Sequence, residues 1–334
     1  MGDDTHGAGG ARGLRWGVMK VALLGSGSFG VPTFEAVARA HRVVGVVTQP
    51  DKPAGRGGTL TPTPVGEFAA SRLPGVPVLK PADVNDPGVV AAVRGWGPEA
   101  LVVIAFGQKL GAALTDGVFA VNLHGSVLPR WRGASPVNAA VLAGDAESGN
   151  SVITLASRMD AGLILASSRV AISPRMTAGD LHDALSADGP GLVLGVLERF
   201  ASGTLEPAEQ DPAKVTRAGK LKKSDGWVDF AAGAEACRRR IHGLNPWPGV
   251  TVRLGAETIK LLRVEALALD SHERPGTVVD AGAGIVACGG GTALRLVEVQ
   301  PAGKRAMGWA DVARGRRIGA GAVLIGGPEG GSAC

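Results

Sequence analysis

A chain of 334 residues exceeds one ordinary domain, and its 45% apolar content suits two packed cores rather than a disordered or fibrous chain. The formal net charge of +5 is uneven: residues 1–210 hold 17 Lys/Arg against 18 Asp/Glu, whereas residues 211–334 hold 18 against 12, a surplus that suits a polyanionic partner. Three scattered cysteines (Cys237, Cys288, Cys334) argue against a disulfide framework or zinc site and for a reducing cytoplasm, and the absence of any apolar run near ~20 residues argues against a membrane span.

The Gly-rich residues 1–18 lack an apolar core and carry two early acids, so they read as an extension without fixed structure, with the natural start at Met19. Val21–Leu24 reads as a buried strand, followed by the turn Gly25-Ser-Gly27-Ser-Phe-Gly30 and a helix over Val31–Ala40. Further strands are predicted over Arg42–Thr48, Leu101–Ala105 and Val118–Leu123, with helices around Pro64–Arg72 and Pro87–Arg94 between them. Such alternation predicts a doubly wound, mostly parallel α/β sheet. Ser151–Ala156 and Leu163–Ile172 read as two β segments flanking Asp160, and a long helix over Thr177–Phe200 closes this catalytic domain, drawn at 19–205.

Residues 201–214, with Ser-Gly, Pro207 and Pro212, look like a linker, drawn at 206–213, about which two domains could hinge. Short β-type runs follow over Trp227–Phe230, Val250–Leu254, Thr258–Val264, Gly276–Val279, Gly284–Cys288 and Thr292–Val299, with one helix over Ala234–Gly243. They predict a C-terminal OB-like β-barrel over 214–328, an architecture that binds oligonucleotides.

Gly25-x-Gly27-x-x-Gly30 matches the dinucleotide fingerprint between a strand and a helix. The acid that should hold a ribose, Asp51, lies beyond Gln49-Pro50 in a loop, so we read the glycines chiefly as a tight strand-to-helix turn. A nicotinamide-dependent dehydrogenase is the rival on this turn. The densest chemistry lies in Asn122-Leu-His124-Gly-Ser-Val-Leu-Pro-Arg130-Trp-Arg132-Gly133, a polar loop at the end of a strand. Asp160, in Met159-Asp-Ala-Gly162, is an isolated carboxylate between two β runs. Asn, His and Asp from separate strand ends make a workable set for acyl transfer. A lone histidine more often satisfies a loop carbonyl, and a lone turn acid is common. The remaining histidines (His6, His41, His182, His242, His272) have no ligand spacing, so no metal is expected.

Asn122–Gly133 resembles the signature of the 10-formyltetrahydrofolate-dependent formyltransferases, and the following Ala134-Ser-Pro136 resembles the branch acting on methionyl-tRNA. Thr48–Gly57 resembles that family's inserted loop, and Ala105-Phe106-Gly107-Gln108 its folate-side segment. Leu244–Gly249 and Leu296–Lys304 resemble its C-terminal barrel. The resemblance runs from about Met19 to Gly326. It implies a cytoplasmic enzyme that takes a formyl group from 10-formyltetrahydrofolate to the α-amine of initiator methionyl-tRNA, with no metal, membrane or DNA. Rivals are a formyltransferase for a small amine (glycinamide ribonucleotide or an amino-sugar nucleotide) and a non-catalytic RNA-binding relative.

By the same resemblance the catalytic trio falls on Asn122, His124 and Asp160. The folate contacts fall on Ser126, Val127, Leu128 and Pro129, with Phe106, Gly107 and Gln108, and Arg56 takes the place of a residue that handles the tRNA acceptor end. The chain departs from the family in Gly57-Gly58-Thr59, where further basic residues are usual, and in a shorter segment after Asp160. Asn122 and His124, two apart on extended backbone, point the same way and can aim an amide and an imidazole N–H at one developing oxyanion. Asp160 can orient His124. Arg130 and Arg132 read equally as a solvated pair or as contacts to a folate tail or RNA phosphates. Lys220, Lys222, Lys223, Arg238, Lys304 and Arg305 are the candidates for phosphate contacts, although such charge runs are more often solvated faces.

Overall fold

The structure, a computed structural model, describes residues 17–54, 58–269 and 272–327. The expectations for residues 1–16 and for Arg56 lie outside the described residues.

Seven strands build the first sheet: β1 (Lys20–Gly25), β2 (Arg42–Val47), β3 (Val78–Leu79), β4 (Ala100–Ile104), β5 (Phe119–His124), β6 (Ser151–Thr154) and β7 (Ile164–Ser167). Their spatial order is β7-β6-β5-β4-β1-β2-β3, with β6 antiparallel to both neighbours and every other pairing parallel. β4, and β1 after the exposed Lys20, are unbroken buried apolar runs because helices cover both faces. On one face Val21, Leu23, Val102 and Val121 pack with Phe34 and Val37 of α1 (Val31–Ala40), Phe68 of α2 (Pro64–Arg72) and Leu181 and Leu185 of the long helix Ala178–Ala201. On the other, Ala22, Leu24, Leu101 and Val103 meet Val93 of α3 (Pro87–Gly95).

Local chemistry starts these helices. Thr63 and Asp86 accept from backbone N–H groups at the first turns of α2 and α3, each of which opens with a proline whose missing N–H costs nothing there. The winding reverses between β1 and β4, which leaves a crevice outside the carboxyl ends of β1, β4 and β5.

The chain then passes through α4 (Pro136–Ala143), α5 (Ala178–Ala201) and α6 (Ala234–Gly243) into a second, antiparallel sheet. Its strands are β8 (Val250–Leu254), β9 (Glu257–Ala268), β10 (Val278–Asp280), β11 (Ile285–Cys288), β12 (Thr292–Pro301) and β13 (Leu324–Ile325), in the order β10-β11-β12-β9-β8-β13. Leu324 N donates to Gly276 O at 2.8 Å and Val278 N to Ala322 O at 2.7 Å, so the sheet curls until its ends meet. Val252, Ile259, Leu261, Leu294 and Leu296 fill the interior, with Ile241 of α6 and Trp309 of α7 (Trp309–Arg316) against them. Both sheets match the predicted fold class.

Several elements differ from expectation. Trp227–Phe230 is irregular rather than a strand, because burying Val228 and Phe230 in the second core is enough without a ladder. Helices α4 and α7 and strands β3 and β13 were not predicted. Leu163–Ile172 splits: its second half, Val170–Ala171, pairs with Glu147–Ser148 instead. No helix among the described residues is long and apolar enough to cross a membrane.

Candidate active site

Strand β5 carries Asn122 and His124 to the crevice. Their neighbours Val121 and Leu123 face the core under α5, so the period of two turns positions 122 and 124 to the opposite face. Asn122 is half-buried, and its side-chain amide makes no hydrogen bond among the described residues. His124 is 6% exposed, and its Nε2 lies 3.0 Å from the Trp131 carbonyl. A carbonyl can only accept, so Nε2 carries the proton in the neutral ring and Nδ1 is left as the acceptor. Nδ1 stands 3.7 Å from Asp160 Oδ1. The structure thus brings the three predicted residues together, with one change of role. The His124 N–H expected at an oxyanion is engaged by Trp131, and the ring offers a basic nitrogen beside a carboxylate.

Asp160 is held from two sides. Its Oδ2 accepts from Gly133 N at 2.8 Å, and its own carbonyl accepts from Gln210 Nε2 at 2.8 Å. The non-glycine residues with positive φ among those described are Ala105 (46°), Trp131 (62°), Asp160 (53°) and Arg317 (54°), so three of the four lie at these strand ends. Residues in that region persist only where surroundings over-determine them, and they concentrate where function needs a fixed geometry.

The segment predicted as a hinge supplies those surroundings. Ala208 exchanges backbone bonds with Ile164 at 2.8 Å, and Thr216 Oγ1 accepts from Trp131 N at 2.9 Å. Arg217–Ala218 runs parallel to Arg132–Gly133 as a two-stranded ribbon. Gly133 must be glycine there: at φ 124° a Cβ would sit 2.3 Å from the Ala218 carbonyl oxygen. Residues 206–218 are therefore a strap across the site rather than a free hinge. Arg132 lies under it, 8% exposed, donating from Nε and Nη2 to Gln210 Oε1 at 2.9 and 2.7 Å. Burial lowers the Arg132 pKa, as do the neighbouring Arg158 and Arg217 guanidiniums, while Asp160 opposes them. Arg132 is thus not part of a solvated pair. Arg130 is exposed, bonds Asp145 at 2.9 and 2.6 Å and lies 4.5 Å over the Trp131 ring.

The folate-side candidates divide. Val127 and Pro129 are half-buried on the loop after β5, and Gly107, at φ 83°, has only Gln49 Nε2 at 3.8 Å from where a Cβ would stand. Phe106 and Leu128 are core residues. Ser126 is fully buried, its hydroxyl donating to Arg130 O at 2.6 Å. Gln108 bonds Val84 N at 2.7 Å and Pro81 O at 3.1 Å, which fixes the loop after β4. The rival glycine turn is a packing device. A Cβ on Gly25 would lie 2.7 Å from Ile104 O, and Asp51, the acid a ribose would need, bonds Lys80 at 2.6 Å.

Among the basic candidates Lys220, Lys222, Lys223, Lys304 and Arg305 are exposed, and none pairs with an acidic side chain among the described residues. Arg238 corrects an expectation. It is 9% exposed, donates to both Glu235 oxygens (2.8 and 2.5 Å) and to the Pro174 carbonyl, and has no free face for a phosphate. A helix turns about 100° per residue, so Arg238, Arg239 and Arg240 point three ways rather than forming one patch. Sequence reasoning missed Gln210 and Thr216, whose partners lie 48–85 residues away.

A formyl transferase family model matches residues 19–197, and a formyl transferase C-terminal domain model matches residues 220–317. The chain is 44% identical over 310 residues to a methionyl-tRNA formyltransferase of Methylobacterium sp. (strain 4-46), covering 90% of this chain and 97% of the relative. It is 39% identical over 305 residues to that of Myxococcus xanthus (strain DK1622), covering 90% and 96%. Among solved structures, HypX from Aquifex aeolicus in complex with tetrahydrofolic acid superposes with a TM-score of 0.62 at 14% identity, over 91% of this chain and 48% of that one. The sugar 3N-formyl transferase WlaRD, in the presence of dTDP and 5-N-formyl-THF, gives 0.60 at 13% identity, over 86% of this chain and 100% of that one. These two structures are alike in fold.

Proposed function

The chain belongs to the methionyl-tRNA formyltransferase family, and from that membership we propose that it transfers the formyl group of 10-formyltetrahydrofolate to the α-amine of initiator methionyl-tRNA. In this reading residues 19–205 are the catalytic unit and 214–328 bind the tRNA. The observation that carries the site assignment is Asn122 and His124 on one face of β5, with Asp160 Oδ1 3.7 Å from His124 Nδ1. The crevice suits the formyl donor. The unengaged Asn122 amide is a half-buried donor in need of a partner, and the loops 105–108 and 126–129 flank it at the strand ends.

When bound, 10-formyltetrahydrofolate supplies an electrophilic formyl carbon and a nitrogen leaving group. The Asn122 amide donates to the formyl oxygen as negative charge grows there, worth on the order of 3 kcal/mol for one well-aimed donor. The attacking α-amine has a reference pKa of about 7.7–8.0 and needs chiefly positioning and removal of a proton after attack. His124 Nδ1 takes that proton, and the imidazolium so formed faces the Asp160 carboxylate, with its Nε2–H still on Trp131 O. The same proton passes to the leaving nitrogen, so the new C–N bond forms, the old one breaks and the histidine returns to its neutral state.

The test mixes the full chain with 10-formyltetrahydrofolate and methionyl-tRNA and separates the products. Formyl-methionyl-tRNA is expected, released with tetrahydrofolate. Failure to form it, or equal formylation of a free small amine, would remove the proposal.

A further inference from the structure

The side chain of Gln210 uses its whole hydrogen-bonding capacity at the site. Its Nε2 donates to the carbonyls of Asp160 and Gly162, both at 2.8 Å. Its Oε1 accepts from Arg132 Nε at 2.9 Å and Nη2 at 2.7 Å. Two donors and two lone pairs are all an amide has. The carbonyls only accept and the guanidinium only donates, so the amide cannot be turned around without reversing all four contacts. These bonds bracket the turn that holds Asp160 at φ 53°, a left-handed conformation that aspartate tolerates better than most residues and that these contacts fix.

We propose that Gln210 is a positioning residue for formyl transfer: its amide fixes the Asp160 turn and so the placement of the carboxylate against His124. The inference rests on the function proposed above and adds a residue to it. Arg132 does not do this work itself: its guanidinium donors go to Gln210 Oε1 and none reaches the Asp160 carbonyl. The Gly133 N–H at 2.8 Å fixes one carboxylate oxygen but leaves the backbone turn free to relax. Gln210 is also reached only through the strap, so its place depends on Ala208 and Arg217–Ala218 staying paired.

The experiment is a double-mutant cycle in the full chain, Gln210→Ala against Asp160→Ala, assayed with 10-formyltetrahydrofolate and methionyl-tRNA. A displaced catalytic group costs on the order of 100-fold in rate, so Q210A should lower kcat by about that factor with both KM values within about twofold. In the D160A background the same substitution should change kcat by less than about twofold, because the group it positions is gone. Gln210→Glu separates the two halves of the contact. It keeps an acceptor for Arg132 but sets a carboxylate against two carbonyl oxygens, and should be as slow as Q210A. Hydrogen exchange at the Gly133 amide, expected to quicken in Q210A, reads the turn without any assay of activity. Wild-type kcat in Q210A or Q210E, an undiminished effect in D160A, or unchanged exchange at Gly133 overturns the inference. Wild-type turnover in D160A alone sinks the catalytic reading of Asp160 and this one with it.

Discussion

Two regions of this molecule use the same residue types to opposite ends. At the junction of the two sheets, Asp180, Arg263 and Arg238 have their charged groups bonded within the protein, and His242 is buried beside them. Asp180 accepts from Arg263 at 2.8 Å on both oxygens, Arg238 is engaged by Glu235 and Pro174, and His242 Nε2 accepts from Val264 N at 3.1 Å. At the strand ends, His124 and Asp160 stand 3.7 Å apart, longer than a hydrogen bond, and Asn122 keeps its amide free. Groups whose bonds are complete hold a structure together, whereas groups kept short of completion have capacity left for a substrate. The backbone enforces that incompleteness through the strap and the strained turns at Trp131 and Asp160.

The sharpest way to break this contrast is to remove the open groups. His124→Ala and Asp160→Ala should each lower kcat by about 10²–10⁴-fold, and Asn122→Ala by about 10²-fold or more. Asn122→Ala should leave the denaturation midpoint close to the wild-type value, whereas His124→Ala and Asp160→Ala, which lose the bonds to Trp131 O and Gly133 N, should each cost only about 1 kcal/mol of stability. Steady-state kinetics beside thermal melts checks both halves. A large fall in melting temperature with little loss of rate would place the trio among the structural groups.

The junction should respond in the other direction. Burial, aided by the Arg238 and Arg263 charges, lowers the His242 pKa to about 4, and protonation would also turn its Val264 acceptor into a donor facing an N–H. The folded pKa lies below the unfolded reference of about 6.5, so the unfolded state takes up the proton first and stability falls as pH drops from about 6.5 to about 4, levelling below that. The whole loss is at most about 3 kcal/mol by linkage. Urea midpoints measured across that range should decline in the wild type and flatten in His242→Gln, with kcat at neutral pH unchanged. Parallel slopes for the two proteins would show that other groups govern the acid response.

The unequal legibility of the two regions has a physical origin. Asn122 and His124 were readable because a strand fixes side-chain direction over two residues, and a polar loop after an apolar strand stands out. Asp160 stood out as a lone acid between β runs. Gln210 did not, because its meaning lies in partners 78, 50 and 48 residues distant, and its own neighbours Glu209, Asp211 and Pro212 read as a linker. Arg132 did not stand out either, because its burial depends on an acceptor 78 residues away, Gln210 Oε1. Both sheets followed from their apolar runs, yet β13, two residues long, carried too little pattern to be seen.

A third contrast sets charges with partners against charges without. Lys220, Lys222 and Lys223 are exposed and unpaired among the described residues, so replacing all three with alanine should raise the KM for methionyl-tRNA about tenfold and leave kcat steady. The slope of log KM against log salt should flatten by about 0.9 for each phosphate that the variant no longer neutralises. Arg238→Ala should leave that slope alone and lower the melting temperature, because its donors serve Glu235 and Pro174. A flattened slope in the Arg238 variant would mean that RNA reaches this side chain despite its burial.

The smallest effect is expected at Asp180, where the closed arrangement is most complete. Its carboxylate shares a capping box with Thr177 at the start of α5 and bonds Arg263 of β9 on both oxygens; the Arg263 guanidinium, followed by the Thr177 bonds, holds its pKa at about 2. Both partners are about a third or more exposed, 35% and 41% at the side chain, so solvent screens the pair and Asp180→Ala should cost only about 1 kcal/mol, mostly through the lost cap. The sign in pH is the same as for His242: a depressed carboxylate contributes stability above its unfolded pKa, and that contribution fades as pH falls through the folded value. The gap in urea midpoint between wild type and D180A should therefore be full at pH 5, narrow below about 4 and close near 2. A gap that persisted unchanged to the acid limit would assign the cost to lost packing rather than to the charged carboxylate and its bonds to Thr177 and Arg263.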